Sequence, residues 1–355
     1  MKPEWRDFLQ QHGAEWNAEH DHVAHFGNPA QELSLALTGE IMADLGHRGL
    51  IAVMGEEAEG FLQNLLSNDV RQVNAEHGQL TSLNTPKGRM LALMRLFKRE
   101  GVYYLSLPRA LVEPTLKRLR MYVLRSKVTL ESAGEAFARF GLAGPRAEAL
   151  LGEAWGEAPA TDGAVRTRDG VTAIRVPGPS ARFELYGELE PMQTLWQRLD
   201  VHATATGPAC WDLLDTLAGL PEIAPETVEA FVPQMVNLER IGGVSFKKGC
   251  YPGQEIVARM HYLGKPNRRM ALLRAKDAET AQPGQAIHGE DAEQAAGQVV
   301  RAAPHPDGGI VLLAMLRLNA LIGDQGESAL HLGAADGPRL SRLPLPYALE
   351  DEAST

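Results

Sequence analysis

From Gly49 onward the chain falls into short apolar runs set between polar turns. "LIAVMG" reads as a buried strand, and "EEAEGFLQNLLSND" as a helix carrying Phe61, Leu62, Leu65 and Leu66 on one face. "QLTSLNTPKGRMLALMRLF" predicts two strands joined by a turn at Thr85-Pro86-Lys87-Gly88. "VYYLSL" predicts a further strand, and "PRALVEPTLKRLRMYVL" a helix with Pro108 tolerated at its start. The same plan then returns. "LAGPRAEALLGEAW" (residues 142–155) echoes "VMGEEAEGFLQNLL", and "RFELYGELEPMQTLWQRL" (residues 182–199) echoes "VYYLSLPRALVEPTLKRL", in the same order. Two related α+β lobes follow, each a sheet with helices on one side. After Pro266 the runs "RRMALLRA", "QAIHG", "GQVVRAA", "GIVLLAMLR" and "SALHL" predict a small all-β barrel or sandwich, although "GIVLLAMLR" alone also suits a helix.

The expected domains are therefore a polar N-terminal segment (1–34), a first lobe (35–134), a second lobe (135–265) and a C-terminal barrel (266–350), with a frayed tail beyond. In the first segment Trp5, Phe8, Leu9 and Trp16 predict a short amphipathic helix ending near Gly13 or just beyond. His12, His20, His22 and His25 also lie there, but their spacing lacks the cysteine and carboxylate partners of a usual metal site, and no metal is expected.

Composition narrows the function classes. A chain of 355 residues with 44% hydrophobic and 23% charged residues has the make-up of a soluble globular protein. No apolar run is long enough to span a bilayer, so no membrane partner is expected. Only two cysteines are present, Cys210 and Cys250, too few for a disulfide framework, and a cytoplasmic location is expected. The net charge of -10 argues against stable nucleic-acid binding. Residues 240–276 depart from this, with nine cations against one acid, a local +8 that fits either an anionic ligand or a solvated face.

That basic stretch contains "FKKGCYPGQEIVAR". The pattern predicts a helix over 252–262, with Pro252 in its first turn, Glu255 and Arg259 as i,i+4 neighbours, and a stop at Gly264-Lys265-Pro266. Cys250 then sits just before a helix N-terminus, behind Lys247 and Lys248 and between Gly249 and Gly253. Positive charge and free N–H groups make a thiol nucleophilic. The competing reading is a small buried residue in a turn. Cys210, beside Trp211 on an apolar helix face, reads as core.

"FKKGCYPGQEIVAR" resembles the Lys-Gly-Cys-Tyr-x-Gly-Gln-Glu-x-x-x-Arg signature of YgfZ-type folate-binding proteins, relatives of the glycine-cleavage T-protein (aminomethyltransferase). "FLQNLLSNDV", "TPKGRM", "DTLAGLPEI" and "FVPQMVNLERIGGVSFKKGC" resemble the same family over about residues 35 to 350. The resemblance implies a ring-like, three-domain α+β protein, its two lobes around a central folate pocket and a β-barrel at the C-terminus. It implies an accessory role in iron–sulfur cluster assembly or repair, and hence in iron–sulfur-dependent tRNA modification, with iron–sulfur client or assembly proteins as partners. Cys250 would be the functional thiol, with Lys248, Glu255 and Arg259 beside it and Gly249, Tyr251, Gly253 and Gln254 shaping the loop. Asn68, Asp69, Asn84 and Lys87, in the matching early segments, would contact tetrahydrofolate or a derivative; each also reads as a cap or turn residue.

Two departures bear on the chemistry. T-proteins resemble one another in an Asp shortly after the Lys-Gly turn, which would position the reacting amine. Here residues 88–97 contain no carboxylate, which weighs against the alternative of a folate-dependent aminomethyl-type transferase. The family's Leu-x-Glu-Ala-Gly helix would supply a Glu to the pterin. This chain has Leu217 at that position, and the nearby Asp215 is a poor substitute because it points elsewhere on the helix.

Overall fold

The computed structural model describes residues 1–17, 19, 21–262, 264, 266–289, 295–322 and 329–349. His20, Lys265 and the tail from residue 350 lie outside the described residues. The chain divides into two compact units. One comprises Met1–Phe61, Val70–Gln79 and Met94–Leu214; the other comprises Leu62–Asp69, Leu80–Leu93 and Asp215–Thr355.

The first unit opens with the helix Pro3–Gln11, which buries Trp5, Phe8 and Leu9 at the spacing of one helical face. Trp5 stacks on Phe140 (6.2 Å) and meets Trp196 edge-on (5.7 Å), anchoring the helix to the core. Trp16, expected in this helix, instead lies in the strand Glu15–Asn17 paired with His22–His25. Gly13, at φ +93°, breaks the helix before Trp16 can join it. The described histidines make local contacts: His12 Nδ1 with the Phe8 carbonyl (2.8 Å), His22 Nδ1 with the Val23 carbonyl (2.7 Å), and His25 Nδ1 accepting from Gly27 N (3.1 Å).

The expected α+β repetition is present. Strand Arg48–Met54 leads through helix Ala58–Gln63 to strands Gln79–Asn84, Met90–Arg99 and Val102–Pro108, helix Val112–Arg120 and strand Thr129–Ser132. Strand Ala138–Ala143 then leads through helix Ala147–Trp155 to strands Val165–Arg168, Val171–Val176 and Arg182–Gly187, helix Leu189–Leu199 and strand Thr204–Thr206. Strand order repeats as well. Edge to edge, one sheet reads Gln79–Asn84, Met90–Arg99, Val102–Pro108, Arg48–Met54, Thr129–Ser132. The other reads Val165–Arg168, Val171–Val176, Arg182–Gly187, Ala138–Ala143, Ile41–Asp44, Thr204–Thr206. The one addition is Ile41–Asp44, a strand from ahead of the first copy. Cys210 and Trp211 are buried in this unit's core, as their apolar setting predicts, and burial pushes the Cys210 thiol up to about 12.

In the second unit six strands close a barrel, in the order Arg268–Ala275, Ile310–Arg317, Gly297–Pro304, Ala286–Gly289, Leu330–Leu332, Arg339–Leu343. "GIVLLAMLR" is a strand, and its alternate residues Ile310, Leu312, Ala314 and Leu316 fill the barrel core with Leu273 and Val299. Several cations turn inward. Arg274 donates to the Ile310 carbonyl (2.8 Å) and the Gly308 carbonyl, and Arg269 pairs with Glu239 and donates to the Gln234 carbonyl (3.0 Å). Lys248 is buried as well. The +8 of residues 240–276 is thus partly spent on internal bonds and is not a uniformly basic face.

Candidate functional site

The residues singled out by the sequence come together within the second unit. Just beyond helix Ala58–Gln63 the chain turns through Ser67 and Asn68, both buried. The Asn68 side chain donates to the Leu80 carbonyl (2.8 Å) and the Gly242 carbonyl (2.7 Å), while its Oδ1 accepts from Asp69 N (3.0 Å). Ser67 Oγ donates to the Gly243 carbonyl (2.9 Å) and accepts from Ser82 N (2.8 Å). Three segments far apart in sequence are therefore tied by buried hydrogen bonds just ahead of the cysteine loop.

Lys248 continues this tie. Its ammonium donates to the carbonyls of Gln63 (2.6 Å), Leu66 and Asn68 (3.1 Å), and it stands 5.1 Å from the Tyr251 ring centroid. An ammonium has three protons, and three carbonyl oxygens meet it. Lys248 thereby fastens the loop to the 63–68 turn.

A second fastening lies on the other side of Cys250. Gly253 has φ +81°, and a Cβ there would stand 2.5 Å from both Gly88 Cα and Thr85 O. Only glycine lets the two backbones approach so closely. Gly88, itself at φ +73°, lies in the turn closed by Gly88 N donating to the Thr85 carbonyl (2.9 Å). Gly249 has neither feature; a Cβ there would meet nothing within 4 Å. Of the two glycines flanking Cys250, Gly253 alone has a positive φ and a close backbone approach.

The helix runs Gln254–Tyr262, starting two residues later than expected because Tyr251-Pro252-Gly253 forms a turn, with Gln254 N donating to the Tyr251 carbonyl (3.1 Å). Cys250 consequently lies four positions before the first helical residue rather than at the helix end. Gln234 Nε2 donates to the Val257 carbonyl (2.7 Å), and His261 stacks on Phe246 at 3.7 Å, joining the two ends of the motif. Tyr251 is buried and burial raises its hydroxyl pKa. Gln254 Nε2 reaches the Lys248 carbonyl at 3.4 Å. Glu255 and Arg259 are exposed on the helix and form no ion pair with each other. Within this anchored loop Cys250 is exposed and is a free thiol.

The candidate ligand residues separate into two groups. The Asn68 side chain is spent on backbone groups, and Asp69 Oδ1 accepts from Gln63 Nε2 (2.9 Å). Asn84 is 2% exposed; its Oδ1 accepts from Ser82 Oγ (3.0 Å), and its Nδ2 has no partner among the described residues. Lys87 is exposed at the turn. Asp215 is buried and paired with Arg301 of the barrel at 3.0 Å. Sequence reasoning missed Ser67, Ser82 and Gln63; polar residues in a "FLQNLLSND" or "LTSLN" run carry no spacing signal.

A model of the family described as the GCVT N-terminal domain matches residues 6–241. The chain belongs to that family. Among solved structures, it is similar over 98% of its length, and over 97% of the other chain, to the glycine cleavage system aminomethyltransferase T from Bartonella henselae, at 17% identity and TM-score 0.73. It also matches a heterotetrameric sarcosine oxidase from Corynebacterium sp. U-96, in complex with pyrrole 2-carboxylate, over 48% of its own length and 89% of that chain, at 14% identity and TM-score 0.33. The first likeness gives the fold. The family match ends at residue 241, ahead of the cysteine loop, so the loop's role rests on its own geometry.

Proposed function

We propose that this protein is a YgfZ-type, folate-binding accessory factor for iron–sulfur cluster assembly or repair, with Cys250 as its functional thiol and iron–sulfur-dependent tRNA modification among the processes it supports. The observation that carries the reading is the contrast at the loop: Lys248 and Gly253 are buried and fastened and Tyr251 is buried, while the thiol of Cys250 is exposed. A cysteine kept for packing would face inward, as Cys210 does. The thiol would meet a partner's thiol or cluster only transiently, because one cysteine supplies one of the four ligands such clusters take.

Tetrahydrofolate or a derivative suits part of the residue set. The buried, unpartnered Asn84 Nδ2 would donate to the polar edge of the pterin, and the exposed Lys87 would meet a tail carboxylate. Leu217 would give up the contact that a Glu makes elsewhere in the family, so weak affinity follows. The fold likeness to an aminomethyltransferase favours the transferase as the second reading, but that chemistry needs a pocket carboxylate and residues 88–97 supply none.

Calorimetry with tetrahydrofolate tests the ligand. Binding at micromolar concentrations is expected, weakened about tenfold by Lys87→Ala, the loss typical of one charge-assisted hydrogen bond. Absence of binding at millimolar ligand would overturn the folate part of the proposal and leave the thiol part to be judged separately.

A further inference from the structure

The helix Val112–Arg120 continues into a loop that exposes three large apolar side chains: Met121 at 61%, Tyr122 at 37% and Leu124 at 88%. The loop is held by its own turns, Tyr122 N donating to the Leu119 carbonyl (3.0 Å) and Ser126 N to the Val123 carbonyl (2.7 Å). Leu124 also has φ +43°, the left-handed region that a leucine rarely adopts. One residue thus combines an unfavourable backbone with an unburied apolar side chain, and neither helps the fold. The segment itself is cationic, and Glu56 and Glu57 meet it at Lys127, Glu57 accepting from Lys127 N (2.6 Å). Residues 114–130 contain no acid, and Lys117, Arg118 and Arg125 form no ion pair with any described residue. Lys127 differs, being matched by Glu56 at 2.9 Å.

We propose that this loop is a membrane-contact element: Tyr122 and Leu124 enter the interface of an anionic bilayer while Lys117, Arg118 and Arg125 meet its phosphate headgroups. Consecutive apolar residues flanked on both sides by cations are the arrangement by which peripheral proteins hold such a surface. A bilayer requires no shape-matched pocket for an exposed tip. Nucleic-acid phosphates would use the cations and leave Leu124 without a role. The inference is independent of the thiol and of folate.

The test is cosedimentation of the full chain with phosphatidylcholine vesicles, alone or with about 30% anionic lipid. Binding is expected only to the anionic vesicles and should weaken with added salt. Leu124→Asn should reduce it roughly tenfold, the worth of one exposed leucine side chain. Asparagine tolerates the left-handed conformation, so the melting temperature of this variant should be unchanged or raised. Lys117→Glu with Arg125→Glu should abolish binding. No binding to anionic vesicles would overturn the proposal, and so would binding unaltered by Leu124→Asn. Binding of bulk tRNA in place of vesicles, lost with the charge reversals but not with Leu124→Asn, would assign the loop to nucleic acid instead.

Discussion

Replacing Lys248 by Met is expected to destabilise the protein by about 3 kcal/mol or more, and to abolish function even though the thiol remains. Methionine matches the length and packing of the lysine stem but has no donor. The carbonyls of Gln63, Leu66 and Asn68 would lose the ammonium that now meets them. Each buried acceptor left unpaired costs roughly 1–3 kcal/mol, partly offset because no charge then has to be buried. Lys248→Arg should not rescue, since a planar fork cannot meet three acceptors arranged around one point. Urea denaturation reads the stability, and a normal midpoint in Lys248→Met would show that the clamp is not holding the loop.

Gly253→Ala is expected to be comparably severe, at about 3 kcal/mol or more. The left-handed backbone costs roughly 1–2 kcal/mol for any L side chain. The new methyl would also overlap the Thr85–Gly88 turn at 2.5 Å, and backbone atoms cannot swing aside as a side chain does. Gly249→Ala is the internal control. With nothing within 4 Å of its Cβ, it should change stability by no more than about 0.5 kcal/mol. Equal losses at the two positions would contradict the proposed lock between the loop and the turn.

The fold and the site were legible to different depths. Alternation and helical spacing were enough for the repeated α+β order, because those patterns are set by which side each residue buries, but they left the C-terminal strands open between a barrel and a sandwich, since a strand buried on both sides, such as Ile310–Arg317, shows no alternation. The cysteine loop stood out by its residue types. Its supports did not. Lys248 and Lys247 are indistinguishable as letters, yet one is 7% exposed and the other lies on the surface. The partners that decide this are carbonyl oxygens of residues 63, 66 and 68, and every residue has a carbonyl, so no sequence spacing marks them. Counting charges failed for the same reason: Arg269 and Arg274 contribute to the +8 of residues 240–276 but spend their guanidiniums inside the unit. The Asn68 side chain ties backbone groups of separate segments, whereas Asn84 Nδ2 has no partner among the described residues, a difference that only the structure exposes.

The most direct measurement is the pair of melting temperature and cellular iron–sulfur enzyme activity for Cys250→Ser in a strain that depends on this protein. The side chain is exposed, so the melting temperature should stay within a degree or two of the wild type. Under the proposed iron–sulfur role, activity of iron–sulfur enzymes should fall to the level of the strain lacking the protein. Full activity in Cys250→Ser would contradict the account, because the clamped loop would then be presenting a thiol that no reaction uses.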